Sequence, residues 1–509
     1  LKQLGLLVAA VAVLALLMVA QSGTVLAAAI VVNTFDDELN ADGDCSLREA
    51  IQAANTNLAV DGCIAGSGSS AITLPAGTYT LSIDGMGENA NRTGDLDIAG
   101  DPSINGSGAT TTAIDGAGLD RVFHIFRGNT VWMSGLTVQS GNSGSDGGGG
   151  ILNDGGTLTL TNSTVNDNAG RFAGGIRNAG RLTLNSSTVS GNRGARAGGG
   201  IHNDHGMLTL NSSIISGNRT RRPPGVGGGV YNDGGALTLT NSTVRGNRTD
   251  GKYAHGGGIS SGGMLKLTSS TVRGNRTESL YARGGGIYIS GGAATLTGDS
   301  AVSGNSGVGS GMYLTGGALT LSDSTIRDNM GAGLNIAGGA ATLNNGTVRD
   351  NTGAGIANYS GTVTLNASTV SGNEAHGIGN SYGEVTLNRS KVIGNSAGSG
   401  GGGIYNDRGS SNMTLNSSTV SGNTAGAGGG IYNEGWFGGT AALDNSAVSG
   451  NTAGGGIYYI YRGPYGGGAL SLNTIVADNA AGDDCVGPIT SLGHNLDSDG
   501  TCDPFAADE

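Results

Sequence analysis

Residues 401–423 read Gly-Gly-Gly-Ile-Tyr-Asn-Asp-Arg-Gly-Ser-Ser-Asn-Met-Thr-Leu-Asn-Ser-Ser-Thr-Val-Ser-Gly-Asn, and three short alternating runs lie within them: Gly403 to Asn406, Met413 to Leu415 and Ser418 to Ser421. Alternation with period two is the pattern of a strand that buries one face. It turns Ile404, Met413, Leu415 and Val420 inward. From Gly150 onward the same phrase recurs about thirteen times, each copy closing on an asparagine, from Asn168 to Asn479. The spacing runs from 22 to 30 residues and is 22 three times in succession between Asn329 and Asn395. Three strands of about five residues, joined by turns of two to four, need roughly 22 residues. One repeat is therefore one triangular turn of a solenoid. The predicted fold is all-β: a right-handed parallel β-helix of about 13 or more three-strand coils, the hand following from the general rule for parallel crossovers.

Other solenoids fit less well. A leucine-rich-repeat horseshoe needs a helical segment opposite its strand, where this chain has Gly, Ser, Thr and Asn. A calcium-binding nonapeptide roll needs aspartate inside each glycine run, and it is missing. With 101 glycines, 4% aromatic and 13% charged residues in 509, a layered α/β enzyme with long amphipathic helices is excluded as well. Length variation lies between the closing Asn and the next glycine run, so insertions map to one edge. The Asn is expected to take a left-handed turn and to stack as a hydrogen-bonded ladder. Leu239, Leu267, Leu321, Leu365, Leu387 and Leu415 are expected to form one inward stack.

Both ends of a solenoid must be covered. Ser46 to Asn55 is the one clear helix, with Ser46 and Glu49 as a capping box and Leu47, Ile51 and Ala54 as an apolar stripe that should lie on the first coil. Lys2, an apolar run from Leu4 to Ala20 and the small residues up to Ala29 read as a secretory signal peptide, a retained membrane anchor being the alternative. In an exported chain, Cys45 with Cys63 and Cys485 with Cys502 read as two local disulfides. The expected organisation is 1–29 signal peptide, 30–149 N-terminal cap and first coils, 150–480 repeat β-helix and 481–509 C-terminal cap, with no membrane span after signal cleavage.

The segment CSLREAIQAAN, Cys45 to Asn55, resembles the N-terminal signature of the CSLREA-domain proteins of bacteria. The glycine-rich repeats are similar to those of polymorphic outer-membrane proteins within the pectate-lyase-like superfamily. Leu472 to Pro504, with NTIVADN and SLGHNLDSDGTC, looks like the terminal region called choice-of-anchor. The resemblance implies a secreted or cell-surface bacterial β-helix that acts in adhesion. It departs from that pattern at Glu509, where no sorting motif or hydrophobic tail has appeared, so covalent anchoring is not expected.

Candidate chemistry is sparse. The polygalacturonase elements are absent. Asp204 and Asp233 follow repeat asparagines on consecutive coils, about 4.8 Å apart by strand spacing, with His202 and His205 beside them. They form a candidate catalytic carboxylate pair, although Asx-type turns account for them equally. Calcium is the one cofactor considered, at Asp497, Asp499 and Asp503 or at Glu38, Asn40, Asp42 and Glu49.

The chain carries a net charge of −12, yet residues 171–283 hold 15 of its 26 Lys and Arg and only Asp204, Asp233, Asp250 and Glu278. Arg193, Arg219, Arg248 and Arg276 follow successive closing asparagines, and Arg245 and Arg273 follow the repeat valine. Stacked like charges repel; an extended polyanion would relieve them, and the alternative is a solvated face that loop carboxylates and salt partly neutralise. Tyr405, Tyr432 and Tyr458 share one outward position and should stack as a platform that stabilises the sheet or receives sugar rings; Trp436, Phe437, Tyr459, Tyr461 and Tyr465 cluster nearby. The function expected is an exported binding or adhesion module for acidic polysaccharide or cell-wall polymer, with no nucleic-acid partner. A polysaccharide lyase or glycoside hydrolase and a purely structural surface protein are the alternatives.

Overall fold

The computed structural model describes residues 28–502 except 146, 224, 280, 308, 310, 408–410, 436–438, 462–468 and 481. Residues 1–27, which hold most of the expected signal peptide, and Trp436, Phe437, Tyr465 and Asp503 lie outside the described residues, as does the side chain of Tyr461.

The chain winds as a right-handed parallel β-helix. Each coil contributes one strand to each of three long sheets, as in Ile356–Asn358, Thr362–Asn366 and Thr369–Ser371. These are called here the isoleucine, leucine and valine sheets. The leucine sheet has 18 strands and the isoleucine sheet 16, so the coils run from cap to cap. Strands pair in parallel with like residues opposite one another: Leu365 with Leu387, Val370 with Val392, Ile356 with Ile378. The six leucines expected to stack inward are all fully buried. A fourth sheet of five short strands, from Ala169–Gly170 to Arg276–Thr277, occupies the edge where the insertions fall.

Buried polar ladders hold the corners. The side-chain amide of each closing Asn donates to the Oδ1 of the next: Asn329 to Asn351 at 2.9 Å, Asn351 to Asn373 at 2.9 Å, Asn373 to Asn395 at 2.8 Å. The ladder starts at Asn168 and ends on the carboxylate of Asp484, 2.7 Å from the Asn479 amide. A second ladder joins the asparagines of the isoleucine strands, as in Asn358 to Asn380 to Asn406 to Asn433. One expectation needs correction. The left-handed residue is not the closing Asn but the Gly or Asp before it, such as Gly372 (φ 62°) or Asp350 (φ 54°). The amide must point into the coil to meet its neighbours, so the preceding residue makes the turn, and Gly and Asp tolerate that conformation.

The helix α1, Leu47–Thr56, carries the expected capping box and packs on Leu96–Ile98 of the isoleucine sheet and Ala71–Leu74 of the leucine sheet. Leu47, Ile51 and Ala54 are buried as expected, and so is Arg48, whose guanidinium pairs with Asp37 at 2.7 and 3.1 Å and donates to the carbonyls of Gly94 and Asp95. Disulfides join Cys45 to Cys63 and Cys485 to Cys502. No helix among the described residues is long and apolar enough to cross a membrane.

Candidate functional site

On the isoleucine sheet the residue after each repeat isoleucine points outward, and register makes these residues a row along the solenoid. From the N-terminal end it includes Asp97, His124, Arg177, His202, Tyr231, Tyr288, Tyr313 and Asn335, and towards the other end Tyr405, Tyr432 and Tyr458. The three late tyrosines stack with centroids 5.1 and 5.5 Å apart, and His376 extends them, 4.7 Å from Tyr405.

Mid-row, insertion loops raise a wall over the sheet. Tyr253, His255, Tyr281, Arg283, Tyr313, Asn335 and Tyr359 line a cleft of about 460 Å³, and no carboxylate is among them. The Arg283 guanidinium lies 4.8 Å from the Tyr313 centroid, and the Lys252 ammonium 5.3 Å from those of Tyr253 and Tyr281. His255 stacks on Tyr288 at 4.4 Å and accepts from the Arg283 backbone N–H at 3.2 Å through Nδ1. Burial, helped by the Arg283 charge, lowers its pKa and favours the neutral ring. Exposed tyrosine faces beside cations suit sugar rings that carry acid groups. The position after the repeat isoleucine could have disclosed Tyr288 and Tyr313. Tyr253, Tyr281 and Tyr359 stand outside it.

The structure brings His202, Asp204, His205 and Asp233 together, and Asp204 and Asp233 are partners in register. Asp204 is already engaged, by Arg177 at 2.7 Å and His205 at 3.0 Å. Burial raises its pKa, but these hydrogen bonds prevail and bring it below its ordinary value. His202 lies between Phe172 and Tyr231, its ring stacked 5.0 Å from the tyrosine, and burial holds it down to about 4. At neutral pH it is an uncharged imidazole whose Nε2 sits 4.0 Å from Asp233.

The arginines are in register as expected: Arg193, Arg219, Arg248 and Arg276 pair in turn along the short sheet, and Arg245 with Arg273 on the valine sheet. Loop carboxylates neutralise part of the strip. Asp250 bridges Arg219 and Arg248, and Glu278 bridges Arg248 and Arg276 at 2.9 and 2.8 Å. Arg193 has no such partner among the described residues and joins Arg171, Arg221 and Arg222 around a hollow of about 440 Å³. Arg245 and Arg273 are likewise without carboxylate partners and border a hollow of about 740 Å³ with Arg327, which Asp328 neutralises.

At the cap positions considered for calcium, the carboxylates serve the local chain. Asp497 accepts from the Cys502 N–H at 2.7 Å, Asp499 from Thr501 and from the Asp484 N–H, and Glu49 from the Asn40 and Ser46 N–H groups. Asn40 donates to both Glu38 and Asp42.

The A-module of mannuronan C-5 epimerase AlgE6 from Azotobacter vinelandii resembles this structure over 87% of this chain and 96% of that one, at 14% identity and a TM-score of 0.27. The A-module of AlgE4 from the same organism does so over 86% and 96%, at 14% identity and a TM-score of 0.30. These likenesses are too remote to bear on activity. No curated protein matches the chain in sequence. The family described as right handed beta helix region matches residues 225–395 and again 285–481, which together make about half of the chain. With its parallel register and stacked asparagine ladders, the chain belongs to the right-handed β-helix family.

Proposed function

We propose that this is an exported β-helix that binds an acidic polysaccharide along the outward row of its isoleucine sheet. The observation that carries the reading is the cleft of Tyr253, Tyr281, Tyr313 and Tyr359 around Arg283, which offers aromatic faces and a cation with no acid group to repel a uronate. Its volume lies in the range of small-ligand sites. Arginine's planar fork fits a carboxylate. The tyrosine stack from Tyr405 to Tyr458 continues the same face, and the unpaired Arg245, Arg273 and Arg193 offer further anion contacts on the adjoining sides. Titration calorimetry with oligouronates and neutral oligosaccharides tests the reading. Salt-sensitive uronate binding that Arg283→Ser weakens about tenfold or more supports it. Equal binding of neutral and acidic sugars, or an Arg283→Ser chain that binds like the native one, contradicts it.

A second reading, polysaccharide cleavage, is favoured by the buried neutral His202 beside Asp233 on the same row. A neutral imidazole is the form that can accept a proton, and burial makes this one a weak base that Asp233 would have to assist. New reducing or unsaturated ends that disappear in His202→Gln would establish it; binding without new ends leaves the protein a binding module.

A further inference from the structure

We infer that Asp95, Asp97 and His124, beneath the N-terminal cap, form a binding site for one divalent transition-metal ion. Asp97 and His124 are register partners on the first two rungs of the isoleucine sheet, and Asp95 lies in the bend just before the strand Leu96–Ile98, close to both. All three are buried. Asn91 folds across them, its N–H donating to Asp97 Oδ2 at 2.9 Å, and the Phe126 ring lies 4.2 Å from that of His124.

Three observations point to a cation. First, one donor atom from each of the three residues lies within 4.8 Å of the other two. Second, Asp95 Oδ1, Asp97 Oδ1 and both ring nitrogens of His124 are buried without a hydrogen-bond partner, although His124 Nδ1 is only 3.3 Å from Asp97 Oδ1. Buried polar atoms are ordinarily satisfied, and ligands of a common ion approach one another without bonding to each other. Third, charge does not balance. Asp95 and Asp97 are two buried carboxylates served by one guanidinium, that of Arg121 on Asp95, while Arg48 is committed to Asp37 and backbone carbonyls. A buried carboxylate left without a compensating charge is costly, and a cation held between Asp95 and Asp97 offsets it.

The similar cluster at His202 differs: Arg177 and His205 already neutralise Asp204 there. Two carboxylates and an imidazole suit Zn²⁺ or Mn²⁺, whereas Ca²⁺ prefers more oxygen ligands. The ion would pin the first two rungs together under α1.

The test is metal content and stability of the full exported chain. After chelation and dialysis against micromolar Zn²⁺ or Mn²⁺, the native protein should hold one equivalent and unfold at higher temperature than the apo form. Asp97→Asn and His124→Gln, checked for folding by circular dichroism, should bind roughly 100-fold more weakly or worse. Pulsed electron paramagnetic resonance of the native Mn²⁺ form should show nitrogen coupling from an imidazole, retained in His202→Gln. Absence of binding, binding of Ca²⁺ in preference, no nitrogen coupling, or its loss in His202→Gln would each overturn the site.

Discussion

Asn373→Ala should be among the most damaging single changes in the repeat, although it alters no catalytic or surface feature. In the native coil the Asn373 Oδ1 accepts from both the backbone N–H and the side-chain amide of Asn351, at 3.1 and 2.9 Å, and its own amide donates to Asn395 at 2.8 Å and to the Ser371 carbonyl at 3.1 Å. Asn351, Asn373 and Asn395 are buried, so water cannot take over these bonds. Truncation strands two donors on Asn351. At about 1–3 kcal/mol for each buried unsatisfied group, the loss is about 2–6 kcal/mol, with about 4 kcal/mol as the central expectation. Asn373→Asp should fare no better, because a carboxylate accepts from the rung before but cannot donate to the rung after. Nature uses aspartate in this ladder only where no further rung follows, at Asp484, whose second oxygen is held by Ser498. Urea unfolding followed by circular dichroism reads the loss, and hydrogen exchange should localise it to the coils between 351 and 395. A variant within about 0.5 kcal/mol of the native chain would refute the claim that the buried ladder stabilises the coil.

Leu365→Ala, deep in the inward stack, should cost about 2–5 kcal/mol in the same unfolding experiment. Asp250→Asn should release Arg219 and Arg248 from their shared bridge and raise salt-sensitive binding to an acidic polymer while changing stability by less than about 1 kcal/mol, measured by affinity electrophoresis and urea unfolding. His202 sets a pH dependence. In the unfolded chain it takes a proton below about 6.5, whereas the folded imidazole stays neutral down to about 4. The unfolded state therefore binds more protons across that window, and stability should fall by up to about 3 kcal/mol as pH drops through it, then level off. His202→Gln should remove that component from the difference between the two stability profiles.

The repeat could be read because one phrase states the whole coil: the residues that alternate inward are apolar, and the shortest spacing equals one turn. The cap helix was equally open, its capping box and stripe both local signals. What stayed hidden is what the period does not govern. Tyr253 and Tyr281 sit in insertions with no repeat position, so their meeting with Arg283 across coils needs the fold. Asp250 and Glu278 counted as minor acids in a basic stretch, yet each follows its arginine by two residues and so points to the same side as the cations it bridges. Asp97 and His124 lie before Gly150, where the phrase is degenerate and register cannot be counted. The ladder residue and the left-handed residue are adjacent in the phrase, and only the geometry separates them.

Hydrogen exchange of the full chain with and without a saturating oligouronate tests the central claim most directly. Bound ligand on the isoleucine face should protect residues 251–289 and 312–315, and leave the outward positions of the leucine sheet unchanged. Protection confined to the arginine corner, or absent from the tyrosine cleft while the ligand is bound, would contradict it.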